Sequence, residues 1–293
     1  MFWITGAHGM LGGAVARLLA DRGQPYLASD AEVDITDVRA LEAFARPHRI
    51  ATIINCAAFT NVRACETQEA LATRVNGDAV GNLAMVAAAK DALLVHVSTD
   101  YVFDGAAAAP YREDAPANPI NAYGRSKLAG ERRLREAPCP WSLVRTAWLY
   151  GARGANFVLT ALRILAQRGE MKVVTDQRGT PCYAADLAGA LLAVAAAPPG
   201  IYHFANAGIA SWYDLAAAAA RLGQEIGILA ETARVLPTTT AELGDPVTRP
   251  AYSALATDRI AAVMGRPPRP WQDALADFMD GLRGSARPWE PRP

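Results

Sequence analysis

The chain has 293 residues, with 29 Lys+Arg against 29 Asp+Glu, so its formal net charge at pH 7 is zero. Hydrophobic residues make up 52% and charged residues 20%, enough apolar surface for a core and too much for global disorder. Neutrality argues against a dedicated nucleic-acid binder, which needs a basic face against phosphates. The longest apolar run, Leu187 to Ala197, stops at Pro198-Pro199 and is too short to cross a bilayer. The start, Met1-Phe2-Trp3-Ile4-Thr5, has no basic segment before its apolar residues and does not read as a signal peptide. Cys56, Cys65, Cys139 and Cys182 are scattered without metal-ligand spacing. The expectation is a cytoplasmic protein acting on a small molecule, with no metal, nucleic acid or membrane.

The elements alternate from the start. Phe2 to Thr5 reads as a strand, Met10 to Asp21 as a helix, and Tyr26 to Ser29 as a second strand. A helix over Val38 to Ala45 leads to a strand over Thr52 to Asn55. One long helix, Thr67 to Ala88, leads to a strand over Leu93 to Val97. A helix over Ala122 to Arg135 leads to a strand over Ser142 to Thr146. Repeated β-α-β units predict an α/β fold, a Rossmann doubly wound parallel sheet, because parallel strands need crossovers. After Tyr150 the pattern loosens. Helices are expected over Asn156 to Arg168, Ala185 to Ala196, Ser211 to Leu222 and Trp271 to Leu282, with a strand over Gly200 to Ala205. The Pro- and Thr-rich stretch Leu236 to Pro250 reads as loop, and the tail from Gly284 as loosely ordered. The division expected is a dinucleotide-binding domain, 1–150, and a small C-terminal α/β substrate lobe, 151–293, whose segments return to extend the sheet.

Gly6-Ala7-His8-Gly9-Met10-Leu11-Gly12 joins the first strand to the first helix. Gly6 permits a tight turn, Gly9 lets a pyrophosphate approach the helix N-terminus, and Gly12 allows close helix-on-strand packing. Without ligand this would be only a glycine-rich turn, but its context favours a dinucleotide. Asp30 ends the second strand and Asp34-Ile35 follow; one of these acidic residues should face the adenosine ribose, which favours NADH without excluding NADPH. Cofactor contacts are expected from Gly6, Gly9, Met10, Leu11, Asp30, Asp34, Ile35, Ala57, Ala58, Val97, Tyr123 and Lys127, at strand carboxyl ends or on the Ala122–Arg135 helix.

Tyr123 and Lys127 have i, i+4 spacing and share one helix face. The Lys127 ammonium, with a nicotinamide cation, would lower the Tyr123 phenol towards neutrality and suit it to proton transfer. Thr99 lies where the fourth strand ends, at the crevice where ligands bind in such sheets. These three are the expected catalytic residues. Asp100 beside Thr99 should touch substrate. Trp148, after the fifth strand, offers a flat face for a ring, and Arg249, in a Pro-bounded loop, a fork for a diphosphate. Asn156 and Gln177 are weaker candidates on the nucleotide side.

This combination resembles the extended short-chain dehydrogenase/reductase family over almost the whole chain. Asn55-Cys56-Ala57-Ala58 resembles its cofactor-side turn, and Asn76 its supporting asparagine. The finer resemblance is to the dTDP-4-dehydrorhamnose reductases. It rests on Ser98 to Gly105, Asn121 to Glu131, Arg145 to Tyr150 with Asn156-Phe157, Asp176-Gln177-x-Gly179-x-Pro181, Trp212-Tyr213-Asp214 and Arg249-Pro250. Cys182 stands where the family has Thr and Tyr252 where it has Asn, both expected on the sugar-nucleotide side. The resemblance implies reduction of the C4 keto group of a nucleotide-linked 6-deoxysugar with NADPH or NADH, and allows a homodimer. A dehydratase would carry an Asp-Glu pair after the Thr; here Asp100-Tyr101 follow Thr99. An epimerase shares the fold. A non-catalytic regulatory subunit would not need intact Thr99, Tyr123 and Lys127.

Overall fold

In the computed structural model, residues 1–285 and 287–290 are described. The first half runs β1 (Phe2–Thr5), α1 (Met10–Asp21), β2 (Tyr26–Ser29), α2 (Val38–Ala45) and β3 (Thr52–Asn55). Then α3 (Val62–Thr67) and α4 (Glu69–Thr73) lead through a π-helical turn, Arg74–Asp78, into α5 (Ala79–Ala89) and β4 (Leu93–Thr99). A 3-10 turn, Asp100–Val102, and a loop precede α6 (Ala122–Arg135), β5 (Trp141–Thr146) and β6 (Leu149–Tyr150). The second half holds α7 (Phe157–Arg168), β7 (Glu170–Val174), β8 (Arg178–Gly179), β9 (Cys182–Tyr183), α8 (Ala184–Ala195) and β10 (Gly200–His203). It ends with β11 (Ala210–Ser211), α9 (Trp212–Glu225), β12 (Arg234–Thr238), α10 (Thr240–Leu243), α11 (Asp258–Met264) and α12 (Trp271–Asp280).

The main sheet has the order β10-β5-β4-β3-β1-β2, and every pairing in it is parallel. Its central strands carry apolar side chains to both faces, as a covered parallel sheet requires. Ile4, Ile54, Val95 and Val144 pack under Leu11 and Val15 of α1 and Leu187 and Leu191 of α8. Trp3, Ile53, Leu94 and Leu143 pack under Leu41 of α2 and Val80 and Leu83 of α5. The chain leaves β1 towards β2 and then crosses to β3 on the other side, so the order reverses at β1/β3. The crevice outside the carboxyl ends of those strands is the switch point, where such sheets hold ligands.

The second half does two things. β10 returns to pair with β5, Gly200 opposite Ser142 through His203 opposite Arg145. The rest builds a layer in which α7, α9 and α12 bury Leu159, Leu162, Leu215, Leu275 and Phe278 together. The parallel pair β7·β12 lies along this layer.

Several elements differ from the sequence expectation. The long helix over 67–88 is broken into α4, the π turn and α5. The π turn carries Asn76, whose side chain bonds both the N–H and the carbonyl of Phe59 and the Ser126 hydroxyl; a side chain committed to three partners outside the helix favours the local widening. The loop over 236–250 contains the end of β12 and α10. Pro237 is tolerated because β12 is paired on one side only. β7 and α11 have no counterpart in the sequence reading. The tail expected to be loosely ordered falls in part, at residues 286 and 291–293, outside the described residues.

Candidate active site

The glycine turn is bare for steric reasons. Gly6 has φ +66°, and a Cβ there would lie 2.7 Å from the Ala57 backbone. A Cβ on Gly12 would lie 2.1 Å from the Gly6 carbonyl oxygen. Gly9 caps α1 without a side chain and the first turn has no acidic residue, so the positive end of the helix is left for an anion. That opening fits a dinucleotide pyrophosphate. Asp30 lies beside it: Oδ2 accepts the His8 N–H at 2.8 Å and Oδ1 the Ala31 N–H at 3.0 Å. These bonds aim the carboxylate at the turn and leave lone pairs for a ribose hydroxyl. Asp34 closes its own turn by accepting from the Thr36 N–H. The Ile35 side chain goes into the core, and its carbonyl accepts from Asn82.

The turn after β3, Asn55 to Ala58, was named from the sequence; the buried polar chain that supports it was not. Thr5 donates to Asn55 Oδ1 at 2.7 Å, the Ala57 N–H donates to the same oxygen at 3.1 Å, and Asn55 Nδ2 donates to His96 Nδ1 at 3.0 Å. Burial drives the His96 imidazole well below its ordinary range, so the ring is neutral. Ala57 and Ala58 are thereby held against the glycine turn.

α6 is capped by Asn121, whose side chain accepts the Gly124 N–H at 2.8 Å and donates to the Thr248 carbonyl. A Cβ on Gly124 would lie 2.1 Å from the Tyr101 carbonyl oxygen, and this close approach sets Tyr123 against the end of β4. The Tyr123 ring meets Tyr101 edge-on, centroids 5.8 Å apart. Lys127 Nζ donates to the Val97 carbonyl at 2.7 Å. Burial lowers its ammonium to about 8, against the opposing pull of Glu131 and Cys56. The expected lowering of Tyr123 is not what the protein's own groups produce. Burial, with the Asp100 carboxylate second, pushes the phenol up, and only the Thr99 hydroxyl among the main influences pulls it down. A phenol held in its acid form suits a proton donor better than a base.

Under these residues lies an ion pair that sequence reasoning also missed. Arg145 meets Glu131 at 2.7 and 2.9 Å, and both are almost wholly buried. Ser98 donates to Glu131 at 2.7 Å. The available signal was the spacing: Glu131 follows Lys127 by one i, i+4 step, and Ser98 precedes Thr99.

On the other side, Trp148 has φ +45°, a strained conformation for a bulky residue that is characteristic of functional sites. It stacks on Trp212 with centroids 3.7 Å apart and planes 6° from parallel. Gly179 must be bare, because its Cβ would lie 2.6 Å from the Trp148 ring. Arg249 donates to the Tyr101 hydroxyl at 3.1 Å and to Asp245 at 3.2 Å. The structure thus gathers Thr99, Asp100, Tyr101, Tyr123 and Arg249. Gln177 donates to Thr240. Asn156 caps α7 and bonds the Gly151 carbonyl. Cys182, expected on the sugar-nucleotide side, is instead wholly buried in the core beneath α8; at this register the thiol packs against apolar neighbours, so the exchange alters packing.

Comparison with known proteins agrees with this geometry. Residues 1–283 match the family described as RmlD substrate binding domain. The dTDP-4-dehydrorhamnose reductase of Streptomyces griseus is 43% identical, over 97% of this chain and 94% of that protein. A crystal structure of a dTDP-4-dehydrorhamnose reductase from Clostridium acetobutylicum superposes with a TM-score of 0.89 at 38% identity, covering 96% of this chain and 99% of that one. The Bacillus anthracis enzyme of the same name, in complex with NADP, gives 0.88 at 34% identity, over 96% and 98%. With the uncapped glycine turn, the Tyr123/Lys127 helix and similarity along nearly its whole length, the chain belongs to the RmlD substrate binding domain family.

Proposed function

We propose that the protein reduces the C4 keto group of a dTDP-linked 6-deoxysugar, dTDP-4-dehydro-L-rhamnose, with NADPH or NADH. The observation that carries this reading is the convergence of Thr99 and Tyr123 at the carboxyl end of β4, with Lys127 one turn along α6, beside the open N-terminus of α1. Fold alone would not separate it from other activities. The similarity to enzymes named for this reaction supports it.

In this reading residues 1–150 hold the dinucleotide and 151–293 the sugar nucleotide. The first turn of α1 binds the pyrophosphate, Asp30 the adenosine ribose, and Ala57, Ala58 and the Val97 segment line the path to the reacting end. When bound, the nicotinamide supplies a hydride to the C4 carbon. Tyr123 Oη gives its proton to the C4 oxygen, and Thr99 orients the carbonyl. This reading assigns Lys127 to the nicotinamide ribose. Trp148 offers its face to the sugar ring and Arg249 its fork to the diphosphate. Asp100-Tyr101 after Thr99 lacks the acid–base pair of a dehydratase. A cytoplasmic location and a homodimer belong to the same proposal. No helix among the described residues is long and apolar enough to cross a membrane.

The test is oxidation of NADPH and NADH with dTDP-4-dehydro-β-L-rhamnose as acceptor, with dTDP-4-keto-6-deoxy-D-glucose in parallel. The reading expects the first acceptor to be reduced faster, to dTDP-L-rhamnose. Consumption of neither acceptor would overturn it.

A further inference from the structure

The hydrogen-bond ladder of α1 starts with the Gly13 N–H, which donates to the Gly9 carbonyl at 2.9 Å. The N–H groups of Met10, Leu11 and Gly12 come before it and have no carbonyl within the helix to reach. A loop from the second half of the chain lies directly on this turn. A Cβ on Gly151 would lie 3.0 Å from Met10 Cγ, and one on Gly154 would lie 4.0 Å from the Met10 nitrogen. Between them, Arg153 lays its side chain along Gly13, where a Cβ would lie 3.2 Å from Cδ and 3.4 Å from Nη1. Asn156, 8% exposed, holds the loop in this place. Its Nδ2 donates to the Gly151 carbonyl at 2.9 Å and to the Gly154 carbonyl at 3.4 Å, and its Oδ1 accepts the Leu159 N–H at 3.0 Å.

We propose that Arg153 is a further cofactor-binding residue, whose guanidinium closes over the dinucleotide pyrophosphate at the first turn of α1. Asn156 is the positioning residue that sets its loop. The proposal rests on the dinucleotide reading of the glycine turn and holds whichever ketosugar is reduced.

Charge gives the reason. Each phosphate of a pyrophosphate bridge carries a negative charge, whereas a helix N-terminus supplies only about half an elementary charge of the opposite sign. The first turn of α1 has no basic side chain to add to it. The Asp30 carboxylate, bonded to the His8 N–H at 2.8 Å, opposes a phosphate there. Lys127 is committed to the Val97 carbonyl. Arg153 is open to supply the missing charge. It is exposed, and among the described residues no carboxylate pairs with its guanidinium. It lines a cavity of about 870 Å³ that runs from His8 in the glycine turn along Arg17 of α1 to Arg163 of α7. The one carboxylate in that wall, Glu290, is paired with Arg287. Of the arginines in this basic cavity, Arg153 is the one whose loop is seated on the first turn of α1. Its planar fork matches two phosphate oxygens with charge-assisted hydrogen bonds.

The test is direct binding, by fluorescence titration with NADH and with NADPH, and it needs no sugar nucleotide. Arg153→Ala should weaken both dinucleotides by about tenfold, as loss of a charge-assisted hydrogen bond does, with the melting temperature of the free protein unchanged. The two losses should be equal, because the pyrophosphate is common to both cofactors. Arg153→Lys should recover part of the affinity, since it keeps the charge and loses the fork. Arg17→Ala removes a charge from the same face of α1, where Arg17 lies 3.9 Å from Asp21, and should change neither affinity by more than about twofold. Unchanged binding in Arg153→Ala would overturn the proposal. A loss confined to NADPH would overturn it too, because Arg153 would then read the extra phosphate on the ribose. So would an equal loss in Arg17→Ala, which would mean a diffuse field and no clamp. A parent protein that binds neither dinucleotide would overturn the cofactor reading together with the proposal, whereas a parent that binds both while Arg153→Ala binds them equally well would overturn the proposal alone.

Discussion

At the residue scale, the buried pair Arg145–Glu131 shows how the catalytic side chains are held. Both sit at 1% exposure or less, where an isolated charge is heavily penalised. Glu131 meets that constraint with three donors, two from Arg145 and one from Ser98. Ser98 is the neighbour of Thr99, and Glu131 lies one turn beyond Lys127, so the pair braces β4 against α6. Removing one partner leaves the other charge buried and unpaired. Arg145→Leu should therefore destabilise the protein by about 3–5 kcal/mol, read as a lower urea midpoint. Adding Glu131→Leu should recover part of that loss, because two apolar side chains leave no stranded charge. A single variant as stable as the parent would show that the pair does not hold these elements.

At the element scale, the β1–α1 turn works through what it lacks. Gly12 and Gly13 are adjacent in α1 but not equivalent. A Cβ on Gly12 would meet the Gly6 carbonyl oxygen at 2.1 Å, whereas one on Gly13 would press on the flexible Arg153 side chain, at 3.2 Å, and reach the Ala7 carbonyl oxygen at an ordinary contact distance of 3.5 Å. Gly12→Ala should cost about 1–3 kcal/mol as overpacking and weaken NADPH binding, because the turn must move off β1. Gly13→Ala should be close to neutral or stabilising, since alanine is favoured over glycine in a helix by about 1 kcal/mol. Equal effects at the two positions, in melting and in cofactor titration, would contradict this. The turn was legible in the sequence because its residues are contiguous and each glycine has a local reason. The β7·β12 pair was not. Its strands are short and lie far apart in the chain, and Pro237 within β12 reads as a loop signal. The π turn was hidden too, because its cause is the side chain of Asn76 reaching Phe59 and Ser126 across the fold.

At the scale of the whole molecule, the parallel sheet and the order of its helices could be read from the alternation of apolar runs, and the sheet carries the site at its carboxyl edge. The motifs that lie within one segment, Thr99-Asp100 and Tyr123 to Lys127, were legible for the same reason. What could not be read was the meeting of distant segments: Trp148 on Trp212, Arg249 on Tyr101, and Arg145 on Glu131. These depend on how the C-terminal half lies against the sheet, with β10 paired to β5 and the loop after α10 reaching Tyr101. Nor did the spacing of Tyr123 and Lys127 foretell that burial and Asp100 keep the phenol in its acid form. The central claim is that this assembled site protonates a C4 oxygen from Tyr123. The most direct measurement is single-turnover reduction of dTDP-4-dehydro-β-L-rhamnose by the Tyr123→Phe variant, with NADPH affinity measured on the same sample. The account predicts a rate lower by about 10²–10⁴-fold and nearly unchanged NADPH binding, because the glycine turn and Asp30 are untouched. A Tyr123→Phe protein that reduces the sugar nucleotide at close to the parent rate would contradict it.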